Sequence, residues 1–147
     1  MLNKMLIYYH GTDGKSAQSI LQSGANIDYG SGELGKGFYI GSSIWRAFSW
    51  AWHKAKEKKS SDYGVIEYHV NEEDFLQLKV LCKNRQSVES TFAYLRQTNQ
   101  EKSKVFGNDA IWGPLVGKNI KDTYQIKFES PKGKEFINSQ NKRILWP

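Results

Sequence analysis

The sequence predicts a mixed α+β domain, and three observations carry the prediction. Short runs of β-branched and aromatic residues recur along the chain, at residues 6–10, 37–40, 65–70, 109–114, 123–129 and 144–146. Helical periodicity appears in three or four longer stretches between them. The two kinds of segment do not alternate one for one, as a parallel doubly wound sheet requires. At 147 residues, with no linker-like stretch and no repeat, the chain reads as one domain over residues 1–147 with room for a core.

Residues 6–10 form the first expected strand, with Leu6, Tyr8 and His10 on one face, Ile7 and Tyr9 on the other, and Gly11 ending it. A short helix is expected from Ser16, with Ile20 and Leu21 inward and Gly24 as its C-cap glycine. Residues 25–33 are polar, hold Gly30 and Gly32, and read as a loop over a site. Leu34-Gly35-Lys36-Gly37 reads as a turn feeding a second strand, Gly37-Phe38-Tyr39-Ile40. Ser42 or Ser43 caps the longest helix, 44–59, with Ile44, Phe48, Ala51 and Ala55 as its core stripe. In the strand at 65–70, Ile66, Tyr68 and Val70 share one face and Glu67 and His69 the other. Residues 75–81 suit a strand or a packed loop, and 87–97 a helix carrying Val88, Phe92 and Leu95. The strand at 109–114 stops at Gly-Pro. The strand at 123–129 is expected to bury Tyr124, Ile126 and Phe128 and to turn Gln125, Lys127 and Glu129 the other way. A helix at 132–138 and a strand at 144–146 close the chain.

The net charge is +6, from 21 basic and 15 acidic side chains, which favours a phosphate compound, a nucleic acid or an acidic protein as partner. The densest basic run, 54–59, reads first as a solvated helix end and second as a phosphate patch. Cys82 is the only cysteine, so no intrachain disulfide forms and a reducing, cytoplasmic location is expected. The apolar start is too short for a signal peptide, and no stretch is long enough to cross a membrane.

The common site motifs are missing. No GxxxxGK loop, dinucleotide GxGxxG, GxSxG elbow or zinc-spaced histidine pair occurs, so no metal is expected. His53 reads as a surface residue, His69 as a strand residue with a local hydrogen bond, and Cys82 as a small core residue. Three positions remain that can converge: His10 at the end of the first strand, Tyr39 on the second and Gln125 on a late one. Taken singly, each reads more simply as structural.

Four blocks in order, Tyr9-His10-Gly11-Thr12, Leu34-Gly35-Lys36-Gly37-Phe38-Tyr39, Asp109-Ala110-Ile111-Trp112-Gly113-Pro114 and Tyr124-Gln125-Ile126-Lys127-Phe128, span nearly the whole chain. On these blocks the chain resembles the small bacterial ADP-ribosyltransferase-like proteins of the DUF3990 type, in the diphtheria-toxin and PARP-like branch. The resemblance implies a split, mostly antiparallel sheet with flanking helices, holding NAD as co-substrate without a metal. It implies that His10 bonds a ribose hydroxyl, that the Gly11 backbone pairs with the nicotinamide carboxamide, and that Tyr39 stacks on the nicotinamide ring. Tyr8 or Tyr9 would support that ring, with Thr12, Gly37 and Phe38 completing the cofactor contacts and Lys36 near the pyrophosphate. The imidazole and the phenol would face each other across a gap sized for a nicotinamide riboside.

The third position of the family's triad is often glutamate, and here the matching residue is Gln125. A glutamine amide can accept the ribose hydrogen bond but brings no charge. Glu33 and Glu67 are other possible carboxylates, and Leu115-Val116-Gly117-Lys118-Asn119 stands where the family's Gly-Pro block is usually followed by an acidic residue. The expected function is therefore transfer of ADP-ribose from NAD to a protein or nucleic-acid acceptor, of a toxin or phage-conflict kind, with a neutralising antitoxin as a further partner. Two alternatives stand beside it: a catalytically silent NAD- or ADP-ribose-binding module of the same fold, and a basic nucleic-acid-binding domain without an NAD site.

Overall fold

The computed structural model describes residues 4–117 and 120–147. Met1, Leu2 and Asn3 of the apolar start, and Lys118 and Asn119 after the Gly-Pro block, lie outside the described residues.

The organising strand is β1 (Met5–Asp13), longer than its apolar run because it pairs along its whole length with β3 (Tyr63–Asn71), from Met5↔Asn71 to Asp13↔Tyr63. Asp13 then caps α1 (Gly14–Ser23), its carboxylate accepting from the Ser16 backbone N–H. Gly24, at φ 91°, ends that helix in a conformation that favours glycine. β2 (Phe38–Gly41) follows a long loop, and Ser43 caps α2 (Ile44–Glu57). After β3 come α3 (Glu72–Phe75), β4 (Val80–Cys82), α4 (Arg85–Gln97) and β5 (Ala110–Pro114). β6 (Tyr124–Phe128), α5 (Pro131–Ser139) and β7 (Asn141–Leu145) complete the chain.

The strands form one open sheet in the order β4-β5-β6-β2-β1-β3-β7, with every neighbouring pair antiparallel except β4 with β5. The mixed α+β class is as the sequence predicts. Residues 75–81 run from the last residue of α3 through a turn at 76–79 into the start of β4.

One face of the sheet carries the main core, where Tyr8, Phe38, Ile40, Ile66, Tyr68 and Ile126 pack under Ala17 of α1 and Ile137 of α5. The alternation of β1 and β3 is as expected, with Ile66, Tyr68 and Val70 all fully buried. The other face carries α2 over β1 and β3, and α4 over β5, with Leu34, Val88 and Ile111 in a second cluster.

Four local expectations are corrected. The stripe of α2 is Ala47, Ala51 and Ala55, while Ile44 and Phe48 are only half-buried. The helix lies so close to β1 that a Cβ on Gly11 would fall on the Ala47 carbonyl, so small residues are required at the crossing. Leu21 faces solvent, because the inward side of α1 is set by Ala17 and Ile20. Cys82 is exposed at the end of the edge strand β4. Finally, β6 lies in the interior of the sheet and is covered on both faces: Gln125, Lys127 and Glu129 are buried along with Ile126 and Phe128, while Tyr124 at its start is exposed.

Candidate functional site

β1 and β2 are joined at a single register pair, Tyr9↔Gly41. Beyond it the strands diverge, and the side of β1 from His10 to Asp13 that would face β2 has no ladder. The imidazole of His10 fills the first position of the gap, its Nδ1 lying 2.6 Å from the Tyr39 carbonyl oxygen. That carbonyl can only accept, so Nδ1 carries the proton and donates, which leaves Nε2 as an acceptor. Nε2 has no protein partner among the described residues. The ring stacks on Phe38, centroids 4.3 Å apart. Burial, and secondarily the charge of Lys54, pull the His10 pKa below its ordinary value against the opposing hydrogen bond to Tyr39, so the imidazole is neutral at pH 7.

The split opens a cleft of about 670 Å³, within the roughly 300–1,000 Å³ typical of small-molecule sites. Six of the nine residues singled out from the sequence line it: His10, Gly11, Thr12, Gly37, Phe38 and Tyr39. Because Tyr9 and Gly41 are register partners, Tyr39 shares the face of Gly11, whereas His10 shares that of Phe38. The two rings therefore do not face each other; they belong to opposite faces of the sheet, and the cleft takes walls from both. His10 and Tyr39 meet through the tyrosine's carbonyl.

The phenol of Tyr39 is a strut for the loop before it. Its oxygen donates to the Gly35 carbonyl at 2.6 Å and accepts from the Leu34 N–H at 3.0 Å. Gly35 sits at φ 86°, and a Cβ on Gly32 would touch the Tyr39 ring, so the loop is wrapped onto that ring. Burial pushes the phenol's pKa far up, and it stays protonated.

Tyr9, Lys36 and Gln125 do not line the cleft. Lys36 contributes its carbonyl, which accepts from Lys127 Nζ at 3.0 Å. The Gln125 amide turns away and donates to Glu33 Oε1 at 2.8 Å and to the Pro114 carbonyl at 3.2 Å. Glu33 accepts also from the Val116 N–H, so the carboxylate considered for the third position stands against Gln125. Glu67 lies elsewhere, bonded to His69 and Arg143. Next along β6, Lys127 and Glu129 form a buried ion pair, and Glu129 Oε2 accepts the Phe106 and Asn108 N–H groups. Burial lowers the Lys127 pKa, opposed by Glu129.

Several cleft residues went unnoticed in the sequence. Ser16, Ser19 and Ser23 present one side of α1 beside the inward Ile20, a hydroxyl stripe whose i, i+3, i+7 spacing was available. Lys54 and Lys58 come from the basic run, so part of the run that read first as a solvated helix end faces the cleft; Lys134 and Trp50 add to the rim. Lys58 Nζ bonds Asp13 Oδ1 at 2.9 Å and Ser16 Oγ at 3.0 Å. Burial pushes the Asp13 carboxyl up, but the Lys58 and Ser16 donors outweigh it and hold the pKa at about 2.

Among the described residues, no group of three or more His, Cys, Asp or Glu is arranged to hold a metal, and no helix is long and apolar enough to cross a membrane. No protein-family model matches the chain, and no curated protein is significantly similar to it.

Proposed function

We propose that the chain binds NAD in the split between β1 and β2 and transfers its ADP-ribose to an acceptor, on a sheet of the ADP-ribosyltransferase type. The observation that carries this reading is the gap itself. An unpaired strand edge runs along Gly11 and Thr12, a neutral imidazole with a free acceptor nitrogen stands at its entrance, and aromatic rings and lysines surround it. These groups fit a dinucleotide. The Gly11 edge offers backbone groups to a carboxamide, His10 Nε2 can accept from a ribose hydroxyl, and the lysines answer the pyrophosphate charge. α1 begins beside the lysines, although Asp13 already occupies its cap.

In the transfer, the bond between ribose C1′ and the nicotinamide nitrogen breaks, and nicotinamide leaves neutral with the bonding pair. The acceptor's lone pair closes on C1′ and the acceptor loses a proton. The chain's part is to orient the ribose, exclude water and oppose the positive charge that grows on the sugar. Tyr39, fixed through its hydroxyl, supports the wall on which the ring rests.

A second reading, a binding module without turnover, is favoured by one observation. Among the described residues the carboxylates lining the cleft are Asp13, tied to Lys58, and Asp28, while Gln125 and Glu33 bond each other outside it. Calorimetric titration with NAD, together with release of labelled nicotinamide, separates the two. Binding with release that disappears in His10→Ala supports the transferase; binding without release supports the module. No binding of NAD or ADP-ribose overturns both.

A further inference from the structure

We propose that the outer face of α2 is a docking track for single-stranded nucleic acid, leading an acceptor base to the mouth of the cleft. As an acceptor site it rests on the transferase reading; as a binding surface it stands on its own observations.

The first is three exposed tryptophans on one helix of 14 residues, Trp45 at 79%, Trp50 at 53% and Trp52 at 43% exposure. The helix packs on the sheet through Ala47, Ala51 and Ala55, so none of these rings is needed to attach it. Large aromatic rings left in water beside a site mark a surface that is covered on binding.

The second is the charge around them. Between Ile44 and Tyr63, Arg46, Lys54, Lys56, Lys58 and Lys59 outnumber the acids Glu57 and Asp62. Lys54 Nζ lies over the Trp50 ring at 5.0 Å and Lys56 Nζ over the Trp52 ring at 4.8 Å. Each pair sets an ammonium next to an aromatic plane, the combination by which unpaired bases are stacked while their phosphates are neutralised. Glu57 is 3.7 Å from Lys54 and partly offsets it; Lys56 and Lys59 have no ion pair among the described residues.

The third is a second hollow of about 470 Å³ where α2 meets β3, walled by Trp52 and Tyr63 and edged by Lys56, Lys59, Ser60 and Ser61. Two aromatic walls, two cations and two hydroxyls suit one nucleotide. Trp50 and Lys54 line the main cleft, while Trp52 and Lys56 line this hollow. Positions two apart project from nearly opposite sides of a helix, so the two openings flank the C-terminal half of α2, roughly 10 Å across its exposed surface. A strand of two or three nucleotides spans that distance. Stacking requires unpaired bases, which selects a single strand over a duplex. An anionic membrane is the weaker match, because an interfacial helix lays an apolar face into lipid and the apolar face of α2 is already against the sheet.

Anisotropy titrations with labelled 12-mers of dT and rU, with a mixed-sequence duplex as comparison, test the track. Phosphatidylserine vesicles and NAD are titrated in parallel. The wild type is expected to bind the single strands more tightly than the duplex, with affinity falling as salt rises. Trp52→Ala and Lys56→Glu, both at surface positions away from the main cleft, are expected to weaken single-strand binding by about tenfold each. Both should retain NAD affinity and the wild-type melting temperature. The track is overturned if these variants bind the oligonucleotides as the wild type does, if the duplex binds equally well, or if vesicles bind and oligonucleotides do not. If NAD fails to bind while oligonucleotide binding still maps to Trp52 and Lys56, the transferase reading falls and the docking surface remains. If NAD binds and oligonucleotides do not, the reverse holds.

Discussion

Changing Gln125 to glutamate would install the carboxylate often found at the matching position of the family the chain resembles, yet the surroundings of Gln125 forbid it as a single change. The amide is 4% exposed and donates to Glu33 Oε1 at 2.8 Å and to the Pro114 carbonyl at 3.2 Å. In Gln125→Glu both acceptors face an acceptor. Two carboxylates about 3 Å apart repel by roughly 5 kcal/mol at an effective dielectric of 20, and two hydrogen bonds of about 1 kcal/mol each are lost. Protonation of one carboxyl relieves part of this, so the expected loss at pH 7.5 is about 2–4 kcal/mol. The sign with pH follows. The shared proton raises a folded-state carboxyl pKa above its unfolded value near 4.3, so the deficit grows as pH rises through that raised value and shrinks as pH falls towards 4.3. Urea unfolding of the wild type and the variant at pH 5 and pH 7.5 measures it. The exchange Glu33→Gln with Gln125→Glu restores a donor opposite a carboxylate and is expected to recover most of the stability. A single variant as stable as the wild type at pH 7.5, or a deficit independent of pH, would refute the arrangement.

Three further outcomes are expected. Tyr39→Phe keeps the ring but strips the Leu34 N–H and the Gly35 carbonyl of their partner, so it should cost about 2 kcal/mol, lower the melting temperature by roughly 4–8 °C and speed hydrogen exchange at Leu34. Lys127→Met leaves the Glu129 carboxylate buried without its cation and frees the Lys36 carbonyl, for a loss of about 3–5 kcal/mol by chemical denaturation, with Lys127→Met/Glu129→Gln recovering part of it. Asp13, with its folded pKa at about 2, stabilises the protein above pH 4 and loses that contribution as pH falls towards 2; allowing for the exposed Lys58, the pH-dependent part is about 1–2 kcal/mol, and Asp13→Asn, which keeps the cap, should show a flatter acid limb.

What could be read from the sequence was local. The alternation of Tyr8 and His10 against Ile7 and Tyr9, and of Ile66, Tyr68 and Val70 against Glu67, is a period-2 signal that one buried face enforces. Ser43 caps α2 by a contact three residues on, as expected, whereas Asn84 and Ser130 cap α4 and α5 in the same way and went unremarked in the sequence. The alanine stripe of α2 was only partly legible: Ala51 and Ala55 belong to the expected stripe, but Ala47 is selected by how near the Gly11 backbone comes, which the helix's own periodicity does not state. β6 was misjudged because Gln125, Lys127 and Glu129 look like a wet face. Lys127 and Glu129 pair with each other, but the partners that complete the network, Glu33, Lys36, Phe106 and Asn108, lie 21 to 92 residues away, and only the folded chain brings them together.

The same contacts explain why the loop over the site cannot be treated as a detachable cover. Residues 30–37 are tied to the sheet at three points, by Glu33 to Gln125, by Leu34 and Gly35 to the Tyr39 hydroxyl, and by the Lys36 carbonyl to Lys127, while outside the sheet Glu33 accepts from the Val116 N–H and the Lys36 N–H donates to the Lys104 carbonyl. Two of these holds come from β6 and one from β2, the strands that form one side of the split. The other side, β1, meets this assembly through the bond from His10 to the Tyr39 carbonyl, the stacking of His10 on Phe38, the single pair Tyr9↔Gly41 and the core that Tyr8 shares with Phe38, Ile40 and Ile126. The cleft is therefore bounded by two sides joined through one core, with the loop belonging to the β2–β6 side. A ligand that bridges His10 and the β2 wall adds contacts between strands that share one ladder pair beside the cleft, so its binding should raise the stability of the folded chain by mass action. Changes within the β6 network should instead move the loop and the Tyr39 wall as a unit, altering affinity through the shape of the cleft without removing any group that touches the ligand.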